Sequence, residues 1–227
     1  MDNLIEALKM LFGPDPELRG IIAVTLQMSF LSTLISSALG LPLGILLGSS
    51  EFRAKPWITR LTNTLMGLPP VVAGLAVFLL LSRSGPLGTL KLLYTVKAMV
   101  IAQVILITPI ITGLASGIVS LKAPQIKETA IGLGIPRIRQ LFYIFYECRT
   151  QLVSAIMAGF GRSIAEVGAV QIVGGNIQFK TRVMTTAIML QTNLGKFRFA
   201  IALGVVLLLM SFVINAVVQK LESLGSE

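Results

Sequence analysis

Histidine is absent from this chain, and cysteine occurs once, at Cys148. A single cysteine excludes an internal disulfide framework. Without histidine the chain is poor in soft metal ligands, and no metal site is expected. No triad based on histidine can form either, and no catalytic residue is expected. Charge is scarce: 13% of the 227 residues are charged, where soluble domains carry about 25%. Hydrophobic residues make up 54%, so the composition is that of a membrane protein. A phosphate-binding loop is missing too. Gly195-Lys196 has Leu190 where such a loop needs its first glycine and Phe197 where Ser or Thr should follow, so this chain does not bind ATP by that route. A basic leader with a cleavage pattern is lacking, and no removable signal peptide is expected.

What is present is a set of long uncharged runs. Residues 21–50, 61–82, 98–121 and 199–219 contain no charged residue. Each supplies the roughly 20 apolar residues that cross a hydrocarbon core. A fifth segment, 150–179, is long enough but carries Arg162 and Glu166. The runs are continuous rather than alternating, which excludes a barrel. Open sheets leave backbone groups unpaired in lipid. The expectation is an all-α membrane protein with about five transmembrane helices, no soluble domain, no low-complexity segment and no internal repeat. Residues 1–19 place Leu4, Ile5, Leu8, Leu11 and Phe12 at helical spacing, with Asp2, Glu6 and Lys9 between them, and predict an interfacial helix. Residues 20–220 form the membrane domain and 221–227 a tail. The uncharged stretch 183–195 is too short to span and predicts a re-entrant or interfacial turn packed on protein.

The formal net charge of +9 fits contact with anionic lipid headgroups and the setting of topology. The basic residues lie between apolar runs, so no nucleic-acid partner is expected. With the loop near Glu128 in the cytoplasm, Arg53, Lys55, Arg60, Lys122, Lys127, Arg137, Arg139, Arg149 and Lys220 lie inside. Arg83, Lys91, Lys97, Lys180, Arg182, Lys196 and Arg198 then lie outside, which is a weak positive-inside bias.

Gly40, Gly44 and Gly48 recur every fourth residue, as do Gly113 with Gly117 and Gly161 with Ala165 and Ala169. Such stripes let helix backbones approach closely. They serve either packing within the bundle or a seam or path. Pro69-Pro70 and Pro109 fall inside runs and predict kinks, which are structural or mark a gate. Arg162 and Glu166 stand four apart on one helical face and can pair. Two readings stand for them: a structural ion pair, or a charge facing a cavity through which an anion passes.

The segment 122–149 is the longest candidate cytoplasmic loop. Pro124 suits the first position of a short helix, Gln125 to Ile131 can continue it, Gly132 and Gly134 allow a sharp turn, and Pro136 can open a second helix. A short helix held across the spans would pass on a rigid push.

Glu128-Thr129-Ala130 followed by Gly134 resembles the Glu-Ala-Ala...Gly loop of ABC importer permeases that depend on a binding protein. Thr129 stands where that family has its first alanine. Leu68-Pro69-Pro70-Val71-Val72-Ala73-Gly74, Gly85-Pro86-Leu87-Gly88, and Arg162 to Ala169 continued by Gly174-Gly175-Asn176-Ile177 are similar to the molybdate, tungstate and sulfate group. Tyr146-Glu147-Cys148-Arg149 and Thr181 to Ile188 look most like tungstate permeases. The resemblance covers about residues 20–220.

It implies the fold of a type I ABC importer permease and a multi-pass place in a prokaryotic inner membrane. It also implies a homodimer of permease subunits, two ATP-binding cassette subunits that hold ATP and Mg, and an extracytoplasmic oxyanion-binding protein. This chain itself would then hold no cofactor and would not be an enzyme. Glu128, Thr129, Ala130, Gly132 and Gly134 would meet the ATPase. Pro69, Pro70, Arg162, Glu166, Asn176, Thr181, Arg182, Thr185 and Thr186 are the candidate path or gate. The expected cargo is tungstate, with molybdate or sulfate as alternatives. An ATPase-independent secondary transporter and a non-transporting scaffold that recruits an ATPase are the rival classes.

Overall fold

Uncharged length becomes helical length in the computed structural model, which describes residues 16–224. The first helix, α1, runs over Pro16–Ser49. Two twelve-residue helices follow, α2 at Lys55–Met66 and α3 at Pro70–Leu81. A 3-10 turn at Gly88–Leu90 leads to α4, Val96–Gly132. Then come α5 at Arg137–Ile164, α6 at Gly168–Gly174, α7 at Met184–Asn193 and α8 at Phe197–Leu224. Helices α1, α4 and α8 are each long and apolar enough to cross a membrane, and the bent pairs α2–α3 and α5–α6 bring the count of candidate spans to as many as five. The all-helical expectation holds among the described residues.

Four local expectations change. The run 61–82 is not one kinked helix: it breaks at residues 67–69, and α2 meets α3 at 97°. Each residue before a proline is driven out of the α region. Pro70 therefore holds Pro69 in extended geometry, with φ −60° and ψ 127°. Single prolines do not have this effect, since Pro42 lies inside α1 and Pro109 and Pro124 lie inside α4. Pro124 thus opens no separate short helix, and the segment read as a loop over 122–149 is the end of α4, a tight turn and the start of α5. Next, α5 ends at Ile164, so Glu166 lies in the break before α6 rather than on one helix with Arg162. Finally, the predicted interfacial helix lies outside the described residues up to position 15, while Pro16 to Arg19 form the first turn of α1. Residues 221–224, assigned to a tail, continue α8.

The spine of the bundle is α1 against α4. A Cβ on Gly44 would stand 2.6 Å from the Ala115 Cβ and 2.7 Å from the Thr112 carbonyl oxygen. One on Gly48 would stand 2.6 Å from the Ser116 carbonyl oxygen. The first glycine stripe is therefore a seam within the chain, where absent side chains let two backbones touch. Beside it, α3 and α6 pack on the N-terminal half of α4 through Ala73, Val77, Ala98, Met99, Ala102, Ala169 and Val173. Small and branched side chains at these positions bring three helices together with little room between them.

Candidate translocation site and coupling end

The two helix breaks meet. A Cβ on Gly74 of α3 would sit 2.7 Å from the Ala169 Cα of α6, and one on Gly168 would sit 3.0 Å from a Val71 methyl. Glycine at both places lets the start of α3 lie against the start of α6. Broken helices packed end against end at membrane depth are where transporters build sites and gates.

Glu166 stands in this junction with 3% of its surface exposed. One carboxylate oxygen accepts from Arg162 Nη1 at 2.5 Å, and the other accepts from the Ala169 N–H at 3.0 Å. Its carbonyl accepts from the Thr185 hydroxyl at 2.7 Å. The carboxylate therefore caps α6 and holds the last turn of α5, and the carbonyl of the same residue ties both to α7. A buried carboxylate persists only when paired and hydrogen-bonded in this way. The Arg162 side chain is 32% exposed. A guanidinium has five N–H donors, and the other nitrogens of Arg162 have no partner among the described residues. The expected pair exists, and it bridges a helix break rather than decorating one helix face.

The remaining candidates have local duties. The Thr181 hydroxyl donates to the Gly174 carbonyl at 2.6 Å and accepts from the Ile177 N–H at 3.0 Å. Arg182 pairs with Glu17 at 2.8 Å, and its Nε donates to Asn176 Oδ1 at 3.3 Å. Asn176 has φ +50°, a left-handed geometry that asparagine tolerates better than most residues. Thr186 caps α7 by accepting from the Val183 N–H at 3.1 Å. These five residues, Thr185 among them, brace the α6–α7 connection and fasten it to the N-terminal end of α1. Of the charged candidates, Arg162 keeps free donors on an accessible face. Pro69 and Pro70 line the break.

Sequence reading missed a buried polar cluster beside Arg162. Ser32 of α1 donates to Gln103 Oε1 at 2.6 Å, Ser163 of α5 donates to the same oxygen at 2.5 Å, and Gln103 Nε2 returns a bond to the Ser163 carbonyl at 2.9 Å. Three helices are pinned at one point next to the arginine. The available signal was a glutamine inside the uncharged run 98–121.

At the opposite end, α4 turns tightly into α5. Glu128 and Thr129 are exposed and Ala130 is buried. Glu128 makes no hydrogen bond or ion pair with any described residue. Gly134 has φ +69°, so it allows the turn, whereas Gly132 is helical and meets nothing within 4 Å. The Ile135 N–H closes on the Ala130 carbonyl at 2.9 Å, and Gln140 Nε2 donates to the Ile135 carbonyl at 2.8 Å. Around this rigid turn Ile131, Leu133 and Ile138 are all exposed, Ile138 to 84%. They form an exposed apolar group on this turn. Lys127 donates to the carbonyl of Ser49, the last residue of α1, where a cation complements the negative helix end.

Residues 40–224 match the family described as binding-protein-dependent transport system inner membrane component. The chain is 41% identical to a tungstate uptake system permease protein, TupB, of Peptoclostridium acidaminophilum, over 95% of each chain. It is 40% identical to a probable anion ABC transporter permease of Haloferax volcanii, over 86% of this chain and 87% of that one. It is 37% identical to the TupB protein of Campylobacter jejuni, over 97% of this chain and 92% of that one.

Proposed function

The chain belongs to the family of binding-protein-dependent transport system inner membrane components, and from that premise we propose that it carries tungstate inward, driven from the tip of α4. It is a membrane-embedded permease subunit of an ABC importer and not itself an enzyme; ATP is hydrolysed on a separate subunit. The names of the relatives at 41% and 37% identity support tungstate as cargo, and molybdate and sulfate are the competing anions. Two copies of this chain form the path, two ATPase subunits with ATP and Mg dock on the Glu128–Gly134 tips, and an extracytoplasmic binding protein delivers the anion.

The observation that carries the mechanism is the rigid, exposed turn at Gly134 with the unpaired Glu128 beside it. ATP-driven closure of the ATPases moves this turn, and the two broken-helix junctions rearrange. Arg162 then meets the anion with the donors that Glu166 leaves free, in a fork that suits two oxygens of a tetrahedral oxyanion. One partly exposed arginine from each copy holds the anion weakly, which favours release. Selection among anions therefore rests mainly on the binding protein.

The test uses vesicles reconstituted with this permease, its ATPase and its binding protein. Glu128→Ala, or Gly134→Val at the positive-φ position, is expected to leave insertion intact and cut tungstate uptake per ATP hydrolysed at least about tenfold, as loss of a central contact does. Unchanged coupling would remove the tip from the mechanism. Uptake of molybdate in preference to tungstate would overturn the cargo.

A further inference from the structure

We propose that the groove between α1, α2 and α4 holds one acyl chain of an anionic phospholipid of the cytoplasmic leaflet. The groove has a volume of about 410 Å³ and its walls include Leu43, Leu46, Ile58, Leu65, Pro109 and Thr112. Its body is apolar. Leu43, Leu46 and Ile58 are exposed along its open side, so it faces lipid laterally.

Its depth matches one leaflet. The inner end is at Ser50 and Phe52, and the deep end is at Thr108, level with Gly40, whose added Cβ would meet the Thr108 carbonyl at 3.1 Å. Gly40 lies nine helical residues before Ser49, the end of α1 beside Ser50, an axial distance of about 14 Å. That is close to half of a hydrocarbon core about 30 Å thick.

The charge lies at the correct end for a headgroup. Arg53 follows the groove residue Phe52 and has no ion-pair partner among the described residues. Lys55 opens α2, pairing with Glu51 at 2.7 Å. On the outer face of α2, Arg60 stacks over the ring of Trp57 at 5.5 Å, and Trp57 is 71% exposed. Tryptophan and arginine together mark the level of the headgroups. The Lys127–Ser49 contact places this end beside the coupling tip, hence on the cytoplasmic side, where anionic lipids give the surface its negative potential. A zwitterionic lipid fits the groove equally well but gains nothing from Arg53.

Native mass spectrometry of the permease–ATPase complex tests this, after equilibration with an equal mixture of phosphatidylglycerol and phosphatidylcholine. The parent is expected to retain phosphatidylglycerol preferentially. Arg53→Gln is expected to lower that preference roughly fivefold, the worth of one surface charge near an anionic lipid. Leu46→Phe with Ile58→Phe fills the groove from its exposed lip without touching the core, and is expected to abolish retention of both lipids. No preference in the parent, an unchanged preference in Arg53→Gln, or undiminished retention in the filled variant would each overturn the proposal. So would dissociation of permease copies in the filled variant, which would assign the groove to a second chain. The readout is lipid, not transport, so a failure of the tungstate reading leaves it standing and is recognised separately.

Discussion

Arg162 and Glu166 are unequal partners. The carboxylate is nearly out of contact with solvent, while the guanidinium is about a third exposed. Arg162→Gln strands a buried charge, and a loss of about 3 kcal/mol is expected. Glu166→Gln keeps an acceptor for the Ala169 N–H and leaves a cation that water can still reach, so a loss of about 1 kcal/mol is expected. Thermal unfolding of the solubilised protein ranks the two, and equal losses would refute the asymmetry. Beside them, Gln103→Leu removes three buried bonds, yet Ser32 and Ser163 can turn back to carbonyls of their own helices. The expected loss is about 1 kcal/mol, since hydrogen bonds between membrane helices average about 0.6 kcal/mol. The spacing of Arg162 and Glu166 made their pairing legible in the sequence. The Gln103 cluster was not, because its members lie 71 and 60 residues from one another along the chain, and no local pattern joins them.

At the scale of helices, equal spacing conceals unequal packing. Gly44 and Gly117 both sit in four-residue stripes, but only Gly44 touches a neighbouring backbone. Gly44→Val should force α1 and α4 apart, costing at least about 3 kcal/mol, whereas Gly117→Ala should be neutral or stabilise by up to about 1 kcal/mol. Yield and melting temperature of the two variants check this. The sequence shows where helices can approach, not which helix approaches, because lipid-facing and protein-facing residues are equally apolar in a membrane. Hydropathy located the spans well for the same reason that it located contacts poorly. Prolines were misread in the opposite sense. Pro69-Pro70 was expected to kink a helix and breaks it, while Pro124 was expected to start one and is passed by. A single proline forfeits one backbone bond, and the long apolar run on both sides of it outweighs that loss.

For the whole molecule, the fold comprises one continuous pair, α1 with α4, two interrupted pairs, α2–α3 and α5–α6, and the short α7 leading to the separate span α8. The family and the membrane architecture were legible in the Glu128–Gly134 segment and in the uncharged runs. The position of the tip relative to the junctions was not, because it depends on α4 continuing unbroken through Pro124. Replacing Leu133 and Ile138 together with serine should leave stability within about 0.5 kcal/mol, as exposed positions do, while lowering co-purification of the ATPase at least about tenfold. Co-purification at the parent level would show that the ATPase grips elsewhere. The same continuity sets the mechanics. Glu128 and Gln103 lie on one helix about 38 Å apart, and Lys127 and the glycine seam lash that helix to α1 along much of its length. The pair is a stiff lever whose far end is gripped by the polar pins at Gln103. If the tip is pushed as proposed, the paired helices would pass that motion toward the joints at residues 67–69 and 165–167, where the bent pairs lose their helical continuity.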